Sequence, residues 1–147
     1  MNSLENSRIL VTGGAGLVGS HIVDQLLEEN PSEVIVFDNF TRGTKDNISD
    51  ALKNPKVKVV EGDITDVNKI HSSIEGMDYV FHQAAIRITR CAEVPRECMD
   101  VLVGGTFNVL EACEKYKVKK LVAASTASVY GMADEFPTKE THHPVSY

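Results

Sequence analysis

The stretch Thr12-Gly13-Gly14-Ala15-Gly16-Leu17-Val18-Gly19 matches the spacing G-x-G-x-x-G at Gly14, Gly16 and Gly19, and G-x-x-G-x-x-G at Gly13, Gly16 and Gly19. It lies between an apolar β-branched run and an apolar stripe of helical period, the setting in which such glycines are informative. A turn without side chains lets backbone N–H groups approach a pyrophosphate, and the partial positive charge of the following helix N-terminus stabilises the anion. The next apolar run ends in Asp38, 19 positions beyond Gly19 and close to the ~20 expected of a carboxylate that accepts hydrogen bonds from ribose hydroxyls. The same charge repels a 2′-phosphate, so NAD is favoured over NADP. Arg42 and Lys45 follow closely and are the groups that would receive that phosphate in the alternative.

Further along, Glu61-Gly62-Asp63-Ile64 follows a third apolar run. Asp63 can accept a bond from an adenine amino group with Ile64 packed on the ring, while a turn or helix cap at Asp63 and Asp66 uses the same residue types. After a fourth run, His82-Gln83-Ala84-Ala85 offers small side chains where a cofactor must pass close to the backbone. His82 itself is read as a strand-end structural residue with no catalytic role. Cys91, Cys98 and Cys113 are odd in number and lack C-x-x-C spacing, so they are read as buried thiols and no metal site is expected.

Composition narrows the partners. The chain has 147 residues, 42% hydrophobic and 24% charged, with a net charge of −6. Nucleic acid is not a default partner for an acidic surface, because phosphate binding needs a basic one. A chain of this length can bury about two-thirds of its extended surface, enough for one globular domain. No apolar run approaches the ~18–20 residues of a membrane helix, and Met1 to Arg8 is polar without a signal-peptide core. No membrane association is expected, and the location expected is cytoplasmic.

These candidate groups need elements to hold them. Ile9-Leu10-Val11, Val34-Ile35-Val36-Phe37, Val57-Lys58-Val59-Val60, Tyr79-Val80-Phe81 and Leu121-Val122-Ala123-Ala124 read as strands. Four are continuously apolar, as strands covered on both faces should be. Val18, Ile22 and Leu26 with Val23 and Leu27 lay a stripe along a helix ending near Asn30-Pro31. A second long helix is predicted from Val94 to Tyr116, with Met99, Leu102, Val103, Thr106, Leu110 and Cys113 on one face. Shorter helical segments fit Asp46 to Leu52 and Asp66 to Ile74. Strand and helix alternate, and right-handed crossovers then favour an α/β fold with a doubly wound parallel sheet, its ligands at the carboxyl ends of the strands.

With these pieces in order, the chain resembles the extended short-chain dehydrogenase/reductase superfamily, specifically the NAD-dependent nucleotide-sugar epimerase/dehydratase family. The resemblance covers nearly all of residues 7 to 147. It rests on the glycine turn, Asp38-Asn39, Gly62-Asp63-Ile64, His82-Gln83-Ala84-Ala85, Gly105-Thr106-Phe107-Asn108-Val109-Leu110-Glu111-Ala112 and Ser125-Thr126-Ala127-Ser128-Val129-Tyr130-Gly131. It implies a Rossmann-type sheet of strand order 3-2-1-4-5, an incomplete NAD-binding domain over residues 1–147 without the last strands or the substrate domain. It also implies cofactor contacts at Leu17 and Val18, at Asp38, Asn39, Phe40, Thr41, Arg42 and Gly43 around the ribose, and along Gln83, Ala84, Ala85, Ile86 and Arg87. The family's catalytic hydroxyl falls on Thr126, four positions before Tyr130, and bonds the reacting sugar oxygen of a nucleotide-diphosphate sugar.

In that family a tyrosine, helped by a lysine four residues on, takes a proton from a sugar hydroxyl while hydride passes to the nicotinamide; hydride return completes an epimerisation. Tyr147, 17 positions past Tyr130 and at a short interval for the family, is the candidate for that tyrosine or a neighbour of it. Leu102 stands where relatives carry an asparagine and is read as core packing. Thr126 followed by Ala127 and Ser128, without an acidic pair, is unlike the sugar 4,6-dehydratases, so epimerase-like chemistry is preferred. Arg87 and Arg90 can hold a sugar diphosphate or be ion-paired surface groups. The expected behaviour is NAD binding with little turnover by this stretch alone. Alternatives are a non-enzymatic module that senses NAD or binds a partner, and an NAD(P)-dependent reductase of another substrate. The long helix is the candidate surface for a homodimer.

Overall fold

The computed structural model describes residues 4–145. Five parallel strands, β1 (Arg8–Thr12), β2 (Glu33–Asp38), β3 (Val57–Glu61), β4 (Tyr79–His82) and β5 (Lys120–Ala123), form one sheet in the order β3-β2-β1-β4-β5. This is the predicted doubly wound, Rossmann-like arrangement, with the order reversing between β1 and β4. Alternation along β1 divides the core. Ile9 and Val11 face α1 (Leu17–Glu28), where Val23, Leu26, Val34, Val36, Ile48, Ala51 and Val57 complete one apolar cluster. Leu10 faces the other side, among Ile35, Phe37, Ile64, Ile70, Ile74, Val80, Val109 and Ala112. That second face is covered by α2 (Val67–Ile74) and by a helical run made of α4 (Pro95–Cys98), a π-helical stretch (Met99–Gly105) and α5 (Thr106–Lys115).

The inward side of this run keeps the helical period, with Val101, Gly105, Val109 and Ala112 at steps of four, four and three. Val101, Gly105, Val109, Ala112 and Cys113 turn inward, while Met99, Leu102, Val103, Phe107 and Leu110 stand exposed. Most of the predicted stripe thus shares a face, but that face is exposed: Cys113 alone of the stripe is buried, and Leu102 is surface rather than core. A short helix, α3 (Ile88–Glu93), precedes this run and was not foreseen. Cys91 on α3 and Cys98 on α4 are joined as a disulfide, which corrects the reading of three buried thiols. Cys113 is free and buried, its thiol pushed up to about 11 by desolvation. Asp66 caps α2, accepting from the Lys69 N–H at 3.0 Å. Among the described residues no helix is long and apolar enough to cross a membrane.

The end of the sheet away from the glycine turn is held by charge. Glu33, largely buried, accepts from Arg8 Nε at 2.9 Å and pairs with Lys58; Asp78 accepts the Arg8 backbone N–H at 2.8 Å and pairs with Lys119 at 2.8 Å. The Lys58 hydrogen bond holds the Glu33 carboxyl below its ordinary value of 4.5, and the Arg8 N–H holds Asp78 below 3.8. A carboxylate whose value is depressed in the fold stabilises it above the unfolded value and loses that stabilisation as the pH falls through the folded one. Unfolding stability should thus decline below about pH 4, and Glu33→Gln should flatten that decline by about 1 kcal/mol after solvent screening. Urea midpoints at pH 6 and pH 3 check this; equal acid slopes for both proteins would contradict it.

Candidate functional site

At the end of β1 the chain makes a tight turn into α1. Gly13 has φ +66°, a conformation that favours glycine. Its N–H donates to the Phe37 carbonyl at 2.8 Å, and its own carbonyl accepts the Gly16 N–H at 3.1 Å. A Cβ at Gly13 would lie 2.7 Å from the Ala84 nitrogen, and one at Gly19 would lie 2.1 Å from the Gly13 carbonyl oxygen. The glycines let three backbones meet: the turn, the first helical turn and the segment after β4. Gly16 is the N-cap and has no side chain to cap α1. The first-turn N–H groups of a helix, here those of Leu17, Val18 and Gly19, lack acceptors within it. Leu17 and Val18 are 75% and 60% exposed there.

Asp38 closes this turn from the tip of β2. It is 7% exposed; Oδ2 accepts the Ala15 N–H and Oδ1 the Phe40 N–H, both at 2.9 Å. Its carboxylate therefore fixes the glycine turn and the following segment together and retains lone pairs for a further donor. The Ala15 carbonyl is held as firmly, accepting from the Thr44 N–H at 3.2 Å and from Asn47 Nδ2 at 2.8 Å. Gly43 packs so closely that a Cβ there would lie 2.9 Å from that of Ala15. Thus Phe40, Thr41, Arg42 and Gly43 wrap the turn, with Phe40 itself at φ +56°. Arg42 and Lys45 are exposed. Asn47 was missed by sequence reasoning, and nothing in its local pattern marked it.

The tips of β2 and β3 are tied by Asn39 Nδ2 donating to Asp63 Oδ2 at 2.7 Å, while Asn39 Oδ1 accepts the Thr41 N–H at 3.0 Å. Asp63 Oδ1 also accepts the N–H and hydroxyl of Thr65, at 2.9 and 2.7 Å. Burial alone would raise the Asp63 carboxyl, but the Thr65 and Asn39 hydrogen bonds outweigh it and leave the group below its usual range. Ile64 is buried in the core beneath Gly105, where a Cβ would lie 2.6 Å from its Cδ1. Its side chain packs into the interior under α5.

Beyond β4, Gln83, Ala84, Ala85, Ile86 and Arg87 run as an irregular ledge beside Gly13, and the Ala84 N–H donates to Thr12 Oγ1 at 3.3 Å. Arg87 is exposed at the start of α3, whereas Arg90 is ion-paired with Glu97 at 2.7 Å and with Glu93 at 3.6 Å. After β5, Thr126 caps a 3₁₀ turn (Ala127–Tyr130), its Oγ1 accepting the Ser128 N–H at 3.2 Å and donating to Ser128 Oγ at 3.3 Å. The threonine is exposed, so its hydroxyl is open to another acceptor. Tyr147 lies outside the described residues. All the other predicted positions collect at the carboxyl ends of the five strands. A helix N-terminus without a side-chain cap, a turn too tight for added Cβ atoms and a buried carboxylate beside it form a donor and acceptor set that fits a dinucleotide.

Comparison with known proteins bears on this set. The NAD dependent epimerase/dehydratase family matches residues 9–147. A putative UDP-glucose 4-epimerase of Methanocaldococcus jannaschii is 44% identical, over 91% of this chain and 43% of that protein. A UDP-glucose-4-epimerase of Stenotrophomonas maltophila, crystallised with NAD and formylated UDP-arabinopyranose, has a TM-score of 0.85 at 27% identity, over 96% of this chain and 43% of that one. The dTDP-glucose 4,6-dehydratase DesIV of Streptomyces venezuelae, crystallised with NAD, gives 0.86 at 33% identity, over 94% and 45%. The chain thus spans less than half the length of each. A match running from the first strand to residue 147, on a sheet whose carboxyl edge carries the set just described, means that the chain belongs to the NAD-dependent epimerase/dehydratase family.

Proposed function

We propose that the chain is the NAD-binding part of a nucleotide-sugar epimerase that oxidises a sugar hydroxyl transiently and reduces it again. The observation that carries this reading is Asp38, a buried carboxylate bonded to the glycine turn at Ala15 and set where an adenosine ribose would reach it. In the proposed complex the first-turn N–H groups of Leu17 and Val18 hold the pyrophosphate, with Gly13 and Gly19 letting the turn and helix pack closely enough to present them and Gly16 leaving the approach open. Asp38 accepts from the ribose hydroxyls, enclosed by Asn39, Phe40, Thr41, Arg42 and Gly43. Asp63 and the backbone of Ile64 border the adenine, and Gln83, Ala84, Ala85, Ile86 and Arg87 form the opposite wall. The nicotinamide ring of the bound cofactor supplies hydride acceptance and return.

The proposed role of Thr126 follows from its exposed hydroxyl. It can turn its proton from Ser128 Oγ to a sugar oxygen and hold that oxygen while a base removes the hydroxyl proton. Tyr147 is the candidate for the base or its neighbour; a phenol of ordinary pKa ~10 needs nearby positive charge to act near neutrality. The dehydratase alternative is less favoured because Ala127 and Ser128 supply no added acid and base beside Thr126.

The test is the interconversion of UDP-hexoses by the full-length protein with NAD and without net NADH release. Thr126→Val is expected to lower kcat by about 100-fold, the scale of losing one donor to a developing oxyanion, with NAD affinity unchanged and Thr126→Ser near wild type. No interconversion by the wild-type protein would overturn the epimerase reading; an unaffected Thr126→Val would remove Thr126 from the reaction.

A further inference from the structure

The face of the sheet beneath α5 is apolar along β1 and β4, through Leu10 and Val80, until its last layer before the cofactor crevice. There the alternation that should place two more aliphatic side chains delivers Thr12 and His82, which are register partners across β1 and β4. Both are buried, at 0% and 6% exposure. The His82 ring joins two hydroxyls. Nδ1 is 2.7 Å from Thr12 Oγ1, and Nε2 is 3.2 Å from Thr106 Oγ1 on α5. Buried polar groups in place of aliphatic ones lose hydration and are kept only where every partner is satisfied.

The protons can be assigned from the partners. Thr12 Oγ1 accepts the Ala84 N–H at 3.3 Å, so its own proton is free to go to His82 Nδ1. Nδ1 is then an acceptor, and the ring carries its proton on Nε2 and donates it to Thr106. The ring must be neutral for this series to close, and burial does push it below the usual histidine range. The series ends on the Ala84 amide, whose nitrogen lies 2.7 Å from where a Cβ on Gly13 would stand. It therefore sets how the ledge after β4 sits against the glycine turn.

We infer that His82 is a positioning residue: bridging Thr12 and Thr106, it orients the Thr12 hydroxyl and through it fixes the close contact between the Ala84 ledge and the Gly13 turn, beside which the pyrophosphate of NAD is proposed to bind. This inference rests on the cofactor reading given above. It assigns His82 a part in cofactor affinity beyond holding a strand end.

The experiment is an NAD titration of the full-length protein and its variants, at a temperature where circular dichroism shows each to be folded. His82→Leu, which removes both ring nitrogens, should weaken NAD about tenfold, the scale of losing one hydrogen bond. His82→Asn, which keeps an acceptor near the place of Nδ1, should recover most of that loss, a rescue that mere filling of the core would not produce. Should His82→Leu fail to fold, Thr106→Val cuts only the far bond and should weaken NAD about threefold. A wild-type protein that binds NAD while His82→Leu or Thr106→Val binds it equally well, or a His82→Asn no better than His82→Leu, would overturn the inference and leave the cofactor reading standing. A wild-type protein that does not bind NAD would overturn both.

Discussion

Asp38→Ala should weaken NAD binding by about 100-fold and also lower the melting temperature. Two effects combine. Each hydrogen bond from a neutral donor to a carboxylate is worth about 1.5–3 kcal/mol, so losing the ribose bonds alone accounts for a factor of ten or more. The same carboxylate holds the Ala15 and Phe40 N–H groups, and without it the turn and the segment from Asn39 to Gly43 lose their common anchor. Discrimination against NADP should relax in the same variant, because the charge facing a 2′-phosphate is gone. Calorimetry with both cofactors, set beside thermal unfolding, separates the two contributions. Unchanged affinity for NAD would take Asp38 out of the ribose role whatever happened to the melting temperature.

Gly19→Ala should have the largest effect on the fold of any single methyl group near the site. The added Cβ would stand 2.1 Å from the Gly13 carbonyl oxygen and 2.8 Å from the Gly14 Cα. Both are backbone atoms that cannot step aside like the end of a side chain, so α1 must move away from the turn. Overpacking of this kind costs about 1–3 kcal/mol, a drop of roughly 3–12 °C in a domain of this size, and it displaces the N–H groups proposed to bind the pyrophosphate. Gly104→Ala is the control. Nothing lies within 4 Å of its Cβ, and replacing an exposed helical glycine by alanine should stabilise by about 0.5–1 kcal/mol. Differential scanning calorimetry of the pair checks the sign of both changes; a Gly19→Ala as stable as wild type would contradict the packing described for the turn.

The sheet was legible because continuous apolar runs such as Val34-Ile35-Val36-Phe37 are what a strand buried on both faces requires. With α1 and the later helices placed between those runs, right-handed crossovers favoured a doubly wound sheet, while its strand order came from the family resemblance. The glycine turn and Asp38 were legible for a related reason, since their chemistry depends on spacing along the chain. Which face of the long helix lies inward was not, because exposed Met99, Leu102, Val103 and Leu110 are as apolar as inward Val101 and Val109 and hydropathy alone does not choose between them. The disulfide between Cys91 and Cys98 was missed because it joins two short helices across a bend at Val94-Pro95, where spacing carries no signature.

Within the site, partners contributed by other elements were the hidden part. Asn47 reaches the Ala15 carbonyl from a 3₁₀ turn (Asp46–Ile48) 32 residues away, a contact that only the fold creates. Ile64 likewise gains a partner from elsewhere, since its side chain packs in the core under Gly105. His82 was read as structural, and its burial agrees with that; the hydroxyl on either side of the ring came from tertiary structure alone.

The central claim is that the turn from Gly13 to Gly19 and the Asp38 carboxylate together hold NAD. A crystal structure of the full-length protein grown with NAD tests it most directly. The account predicts the pyrophosphate within hydrogen-bonding distance of the Leu17 and Val18 N–H groups and the adenosine ribose hydroxyls on Asp38. An occupied cofactor bound elsewhere, or a crevice closed to NAD at saturating concentration, would contradict it.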